Sequence, residues 1–252
     1  MKYINFHLEG GIGILSFNRP EKYNAFNADL LNELAVFLDN LNSDEGLKVL
    51  ILTGEGKAFS SGVDLKSLLE LDTVEKAREF ALLLESTSEK IYNFSKPVIA
   101  AINGLALGGG FGYATACDIR IVTDETKIGY PAVKLGAILP ATCTVYLKNI
   151  IGEGKTKDLL LTGRMLNGKE IVDIGLATAS VSVDNLLEYA KKTAVQIMEA
   201  PTLALDYTKR TVSFGTRLEI EAAKLYAADN FAFLSQTAEW KKRMSDFANK
   251  KK

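Results

Sequence analysis

Lys96-Pro97-Val98-Ile99-Ala100-Ala101-Ile102-Asn103-Gly104-Leu105-Ala106-Leu107-Gly108-Gly109-Gly110 decides the fold. The apolar run Val98 to Asn103 reads as a strand, and the glycines at 108 to 110 open a segment with helical character. A helix that starts directly on a glycine turn presents unpaired amides and the positive end of its dipole. Such a turn can hold an anion.

Working outward, the same alternation recurs on both sides. Tyr3 to Leu8 and Ile12 to Asn18 flank Gly10-Gly11, the dipeptide a tight hairpin needs. After Asn27, a natural N-cap, Leu30, Leu31, Leu34, Phe37, Leu38 and Leu41 fall at helical spacing, and Leu47 to Thr53 follows as a buried strand. Thr73 to Phe94 reads as helix and Ile119 to Thr123 as strand. Strands alternating with helices predict an α/β chain with parallel sheet and crossovers. From Asp184 onward the pattern is helical almost throughout. We therefore divide the chain into a core, residues 1–195, which carries the binding loops, and a helical C-terminal region, residues 196–252, whose Phe and Tyr residues between 207 and 233 point to oligomerisation.

The 252 residues carry 30 Lys and Arg against 31 Asp and Glu, so a nucleic-acid partner is unlikely on charge, and a small ligand is the better expectation. The longest apolar run is too short to span a bilayer, so no membrane role is expected. One histidine and two cysteines leave no spaced metal-ligand cluster and no histidine triad. His7 alternates with apolar residues and reads as an edge-strand residue. Cys117 and Cys143 lie in apolar surroundings with no signal peptide before them, which reads as two reduced thiols in a cytoplasmic protein.

Two glycine motifs fail as nucleotide sites. In Gly152-Glu153-Gly154-Lys155-Thr156 the earlier P-loop glycine falls on Asn149, and after Gly110 and Gly112 the third glycine of a dinucleotide fingerprint falls on Thr115. Ala58-Phe59-Ser60-Ser61-Gly62-Val63-Asp64-Leu65 turns the chain with small residues that let backbone approach a ligand. Ser60 or Ser61 has no base to make it a nucleophile, and Asp64 reads as a helix cap.

Together, Asn18-Arg19-Pro20-Glu21-Lys22-Tyr23-Asn24-Ala25, the 58–65 stretch, the 96–110 stretch, Cys117-Asp118 and the Met244-x-x-Phe247 tail resemble the enoyl-CoA hydratase/isomerase (crotonase) family over essentially the whole chain. The resemblance implies a crotonase-like spiral of β-β-α units with a helical C-terminal trimerisation region. It implies an acyl-CoA substrate, coenzyme A entering only as part of that substrate, no metal, and a homotrimer or a dimer of trimers. The family's oxyanion hole would be made by the backbone N–H groups of Ser61 and Gly109. Lys22, Ser61, Gly62, Val63, Asp64, Leu65, Gly108 and Gly109 match positions that line coenzyme A, and Phe231 and Lys250 match positions through which a neighbouring subunit reaches it.

Hydratases of this family use two glutamates, and by resemblance those positions are Gly112 and Ala132 here. The isomerase glutamate also aligns with Ala132, and the aspartate of other branches falls on Pro140. Adding water needs one group to activate it and another to handle a proton, so ordinary hydration is doubtful. The resemblance leaves two outcomes open: an atypical lyase or isomerase of fatty acid metabolism, or a non-catalytic acyl-CoA-binding or scaffold protein. Tyr130 is the foremost candidate for proton transfer, beside Tyr113, Lys134 and Tyr146, with Glu70 or Glu85 a further possibility.

Overall fold

The computed structural model describes residues 1–137, 140–215 and 220–249. The chain opens with β1 (Ile4–Glu9) and β2 (Ile12–Phe17), paired antiparallel across the Gly10-Gly11 turn, followed by α1 (Ala28–Asn42). Pairs of strands with intervening helices come next: β3 (Val49–Gly54) and β4 (Ala58–Ser60), α2 (Leu65–Leu69) and α3 (Val74–Tyr92), β5 (Val98–Ile102) and β6 (Leu105–Leu107), α4 (Gly109–Ala116), then β7 (Ile119–Thr123) and β8 (Lys127–Gly129). A 3-10 turn at Pro131–Leu135 leads to α5 (Ala141–Ile151), α6 (Glu153–Thr162), β9 (Met165–Asn167), α7 (Gly168–Asp173), β10 (Ala179–Val181) and α8 (Leu186–Met198). The chain ends in α9 (Thr202–Gly215), α10 (Ile220–Ser235) and α11 (Ala238–Asn249).

The first strand of each pair enters a six-stranded sheet of order β1-β2-β3-β5-β7-β10, and the second enters a four-stranded sheet of order β4-β6-β8-β9. From β2 onward the large sheet is parallel, with Ile14 opposite Ile51 and Ile51 opposite Ile99. Side-chain alternation then separates two apolar layers. Leu50, Leu52, Val98, Ala100 and Ile102 point to the main core with α1, α3, α4 and the small sheet, whereas Val49, Ile51, Ile99 and Ala101 face Leu186, Ala190 and Ala194 of α8.

The long helices begin where their caps lie. The Asn27 side chain accepts from Leu30 N and that of Thr73 from Lys76 N. The hairpin, α1, α3, β5 and β7 fall where the sequence places them, and His7 stands exposed on the edge strand β1. The small sheet was not legible, because three-residue strands show no periodicity. Cys117 and Cys143 are buried free thiols. No helix among the described residues is long and apolar enough to cross a membrane.

Helix α9 docks on the core through Lys209, whose Nζ lies 2.8 Å from Asp118 Oδ2 and donates to the Lys96 carbonyl at 3.2 Å. Beneath the glycine turns lies an aromatic cluster in which Phe17 meets Phe26 and Phe59 edge-on, each at 5.3 Å, and Phe26 lies 4.7 Å from the Tyr113 ring. All four rings are fully buried. Replacing Phe59→Ala should cost about 3–5 kcal/mol in urea unfolding, since the rings around it cannot collapse into the void; a loss below about 1 kcal/mol would show that the cluster does not support the turns.

Candidate active site

Three loops meet at the carboxyl ends of β2, β4 and β6, and backbone hydrogen bonds fasten the first two together. Phe26 N donates to Gly62 O at 2.7 Å, Asp64 N to Phe26 O at 2.8 Å, and Ser61 N to Tyr23 O at 2.9 Å. Asn24 is the hub. Its side chain donates to Ala58 O at 2.7 Å and Glu55 O at 2.9 Å and accepts from Arg19 N at 2.8 Å. Its carbonyl accepts from Ser60 Oγ at 2.8 Å, and that hydroxyl in turn accepts from Gly62 N at 3.1 Å. Asn24 is fully buried at φ 56°, a conformation that asparagine tolerates better than most residues.

Arg19 completes the clamp. It donates to Asp64 Oδ2 at 2.9 Å and to the Ala25 carbonyl, and both ionic side chains are almost enclosed. Burial works to raise the Asp64 carboxyl pKa, but the hydrogen bond from Arg19, the amide of Lys66 and the Arg19 charge outweigh it and hold the group below its ordinary value. Asp64 also caps α2, as the sequence reading expected.

The third loop is pressed onto the second. Gly62 adopts φ +93°, and a methyl group added there would lie 2.7 Å from the Leu107 carbonyl oxygen and 3.0 Å from Gly109 N. A methyl on Gly110 would lie 2.3 Å from the Ser60 carbonyl oxygen. Only glycine permits this approach. Gly109 opens α4, so its N–H is one of the unpaired first-turn donors.

The sequence-predicted residues are distributed as follows. Ser61, Gly62, Val63, Asp64, Gly108 and Gly109 come together, and the exposed Lys22 adjoins them through its carbonyl, which accepts from Ser61 Oγ at 3.4 Å. Leu65 follows on the exposed face of α2. Ser61 requires a correction as an amide donor, because its N–H is spent on Tyr23 O. Among the described residues the N–H groups of Val63 and Gly109, on the two facing loops, donate to no acceptor, as do those of Gly110 and Phe111 deeper in the first turn of α4. Phe231 is 64% exposed on α10, with its ring edge-on to Trp240 at 6.4 Å. Lys250 lies outside the described residues.

Gly112 is buried one turn into α4, and Ala132 is half-buried in the turn after β8. Beside them stand two phenols. Tyr113 Oη donates to Leu84 O at 3.2 Å, and burial first, then Cys143 and Glu85, hold its pKa well above the usual range. Burial, with Cys143 nearby, pushes the Tyr130 phenol up to about 12. At neutral pH both are neutral donors and not bases. Lys134 is exposed, and the Tyr146 ring stacks on Tyr92 at 3.8 Å. No group of three or more His, Cys, Asp and Glu that could hold a metal occurs among the described residues.

The family profile described as enoyl-CoA hydratase/isomerase matches residues 7–252. A short-chain-enoyl-CoA hydratase of Clostridium acetobutylicum is 33% identical over 245 residues, 97% of this chain and 94% of its own. A crotonyl-CoA hydratase of Syntrophomonas wolfei is 36% identical over 255 residues, 100% of this chain and 98% of its own. The crystal structure of an enoyl-CoA hydratase from Bacillus anthracis has a TM-score of 0.94 at 31% identity, covering 99% of this chain and 97% of that one.

The Arg19–Asp64 clamp carries a pH signature. Because the folded-state pKa of Asp64 lies below the unfolded one, its contribution is complete above about pH 4 and fades as pH falls through the folded value. Asp64→Asn should lose about 3 kcal/mol near pH 7, and the loss should shrink toward pH 2. An equal loss at both pH values would assign the effect to packing.

Proposed function

The chain belongs to the enoyl-CoA hydratase/isomerase family and has the crotonase fold, and from that premise we propose that it binds an acyl-CoA thioester and stabilises its enolate between the N–H groups of Val63 and Gly109. The single observation that carries this is the pair of unengaged amides on two loops locked against each other at Gly62. A thioester enolate places negative charge on the carbonyl oxygen, and donors fixed in advance where that charge develops lower the barrier without reorganising. Gly109 adds the dipole of α4. Removing one such donor costs roughly 100- to 1,000-fold in rate.

Relatives named as enoyl-CoA hydratases support an acyl-CoA substrate. Lys22, the 61–65 stretch and Gly108 then lie along the coenzyme A moiety, with Ser61 a lining residue that ties the loop to Tyr23. Leu225, Phe231 and Phe233 of α10 and Val212 of α9 are large apolar side chains left exposed, which supports assembly of copies into a trimer or a dimer of trimers. Buried free thiols support a cytoplasmic setting.

Glycine at 112 and alanine at 132 can neither activate water nor deliver a proton. Each general acid–base step is worth roughly 100- to 10,000-fold, so crotonyl-CoA hydration through this site is slow. The chemistry is therefore enolate-based, as in a lyase or isomerase of fatty acid metabolism. A second reading, an acyl-CoA-binding or scaffold protein without turnover, is favoured by those same two side chains.

Calorimetry should show butyryl-CoA binding to the purified protein. Gly62→Ala should weaken binding at least about tenfold, or about 1.4 kcal/mol, because its methyl group would push the two amides apart. Absence of binding to the wild type, or an unchanged affinity in the folded variant, would remove the proposal. Crotonyl-CoA hydration at the rate of an ordinary hydratase would contradict the account of Gly112 and Ala132.

A further inference from the structure

Helix α4, whose first amide belongs to the candidate site, is buried along its whole length. Its macrodipole places about half a positive charge at the Gly109 end and about half a negative charge at the other. Inside the protein that negative end is poorly screened by water, so by itself it works against an anion held at Gly109. The carbonyls at this end meet a cation. Arg120 Nη1 donates to Cys117 O at 2.6 Å and to Ala114 O at 3.3 Å, and Nη2 donates to Asp118 O at 3.3 Å. Nε donates to Leu176 O at 2.6 Å, which ties the group to the segment before β10.

Arg120 stands on β7 opposite Ala100 of β5, on the same face as the core residue Val122, and only 7% of it is exposed. Its charge is not cancelled locally. Among the described residues no carboxylate pairs with it. The Asp118 carboxylate accepts from Val98 N at 2.7 Å and lies 2.8 Å from Lys209 Nζ, so its charge is balanced by that lysine. Burial pushes the Cys117 thiol up to about 12, which leaves it uncharged at neutral pH. A guanidinium keeps its proton even inside a protein. One full positive charge therefore remains on the negative end of α4.

We propose that Arg120 is a positioning residue for enolate stabilisation: it holds the C-terminal end of α4 and makes that end positive, so that both ends of the helix favour an anion at Gly109. The inference rests on the enolate reading and adds a source of charge to it. Eight helical residues at about 1.5 Å each put the guanidinium roughly 12 Å from the Gly109 amide. At that range, with an effective dielectric constant of about 20, a unit charge changes the stability of an enolate about tenfold.

The test uses acetoacetyl-CoA, a β-keto thioester whose enolate absorbs in the near ultraviolet. The pH of half-enolisation is read by absorbance for the free and the bound thioester, with affinity and melting temperature measured in parallel. The wild type should enolise the bound thioester at a lower pH than free solution does. Arg120→Met should raise that pH by about one unit, the tenfold effect, whereas Arg120→Lys, which keeps the charge, should stay near the wild type. Asp118→Asn, which removes an opposing negative charge, should lower it further, a direction that loosened packing does not produce. Enolisation at the wild-type pH in Arg120→Met would overturn the proposal. An equal rise in both Arg120 variants would also overturn it and assign Arg120 to the fold alone. The absence of a downward shift in Asp118→Asn would do the same, and this variant decides the matter if Arg120→Met does not fold. Wild-type protein that binds acetoacetyl-CoA without lowering its enolisation pH would remove the enolate reading and leave acyl-CoA binding intact. Failure of the wild type to bind would remove both.

Discussion

At Gly62 the chain passes so near its third loop that one added methyl group would lie 2.7 Å from the Leu107 carbonyl oxygen and 3.0 Å from Gly109 N. That backbone approach fixes where two amides stand relative to each other. The surrounding structure maintains it. Pairing of β4 with β6 brings the loops to the same edge, and Asn24 and Ser60 fasten Gly62 from below. The Arg19–Asp64 pair closes the far end. Each contact is modest alone, but buried polar networks that are fully satisfied rigidify the groups they hold. Rigidity is what an anion-stabilising pair requires, since donors that must turn toward the charge surrender part of their advantage.

The alternation of strand and helix was legible because the long elements carry their period openly, as in Leu30 to Leu41 and Val98 to Ile102. The second sheet was not, since β4, β6, β8 and β9 are three residues each, too short to show a period, and their partners lie far along the chain. At the candidate site, the small residues of the 58–65 stretch announced backbone open to a ligand and the glycines at 108 to 110 an anion-holding turn, but not that the two loops press on each other. Which amide remained unengaged was a different matter. The donation from Ser61 N to Tyr23 O depends on the left-handed turn at Tyr23 and Asn24, with φ 50° and 56°, and no local pattern encodes that partner. The same tertiary dependence hid Asn24 and Arg19, whose partners lie up to 36 and 45 residues away.

Electrostatically the site is sparsely equipped. The ion pair of Arg19 and Asp64 is structural, and the phenols of Tyr113 and Tyr130 are held neutral by burial. The chain has 31 acidic residues, yet Gly112 and Ala132 supply none at the positions the family resemblance marks out. With so few charged groups beside them, the two amides are the chief donors the site can offer to a developing negative charge.

The central claim is that the Val63 and Gly109 amides polarise a thioester carbonyl. The most direct measurement is the infrared carbonyl stretch of butyryl-CoA labelled with carbon-13 at C1, taken free and bound to the intact protein. The account predicts a shift to lower wavenumber on binding. A bound carbonyl that absorbs at the frequency of the free thioester in water would contradict it.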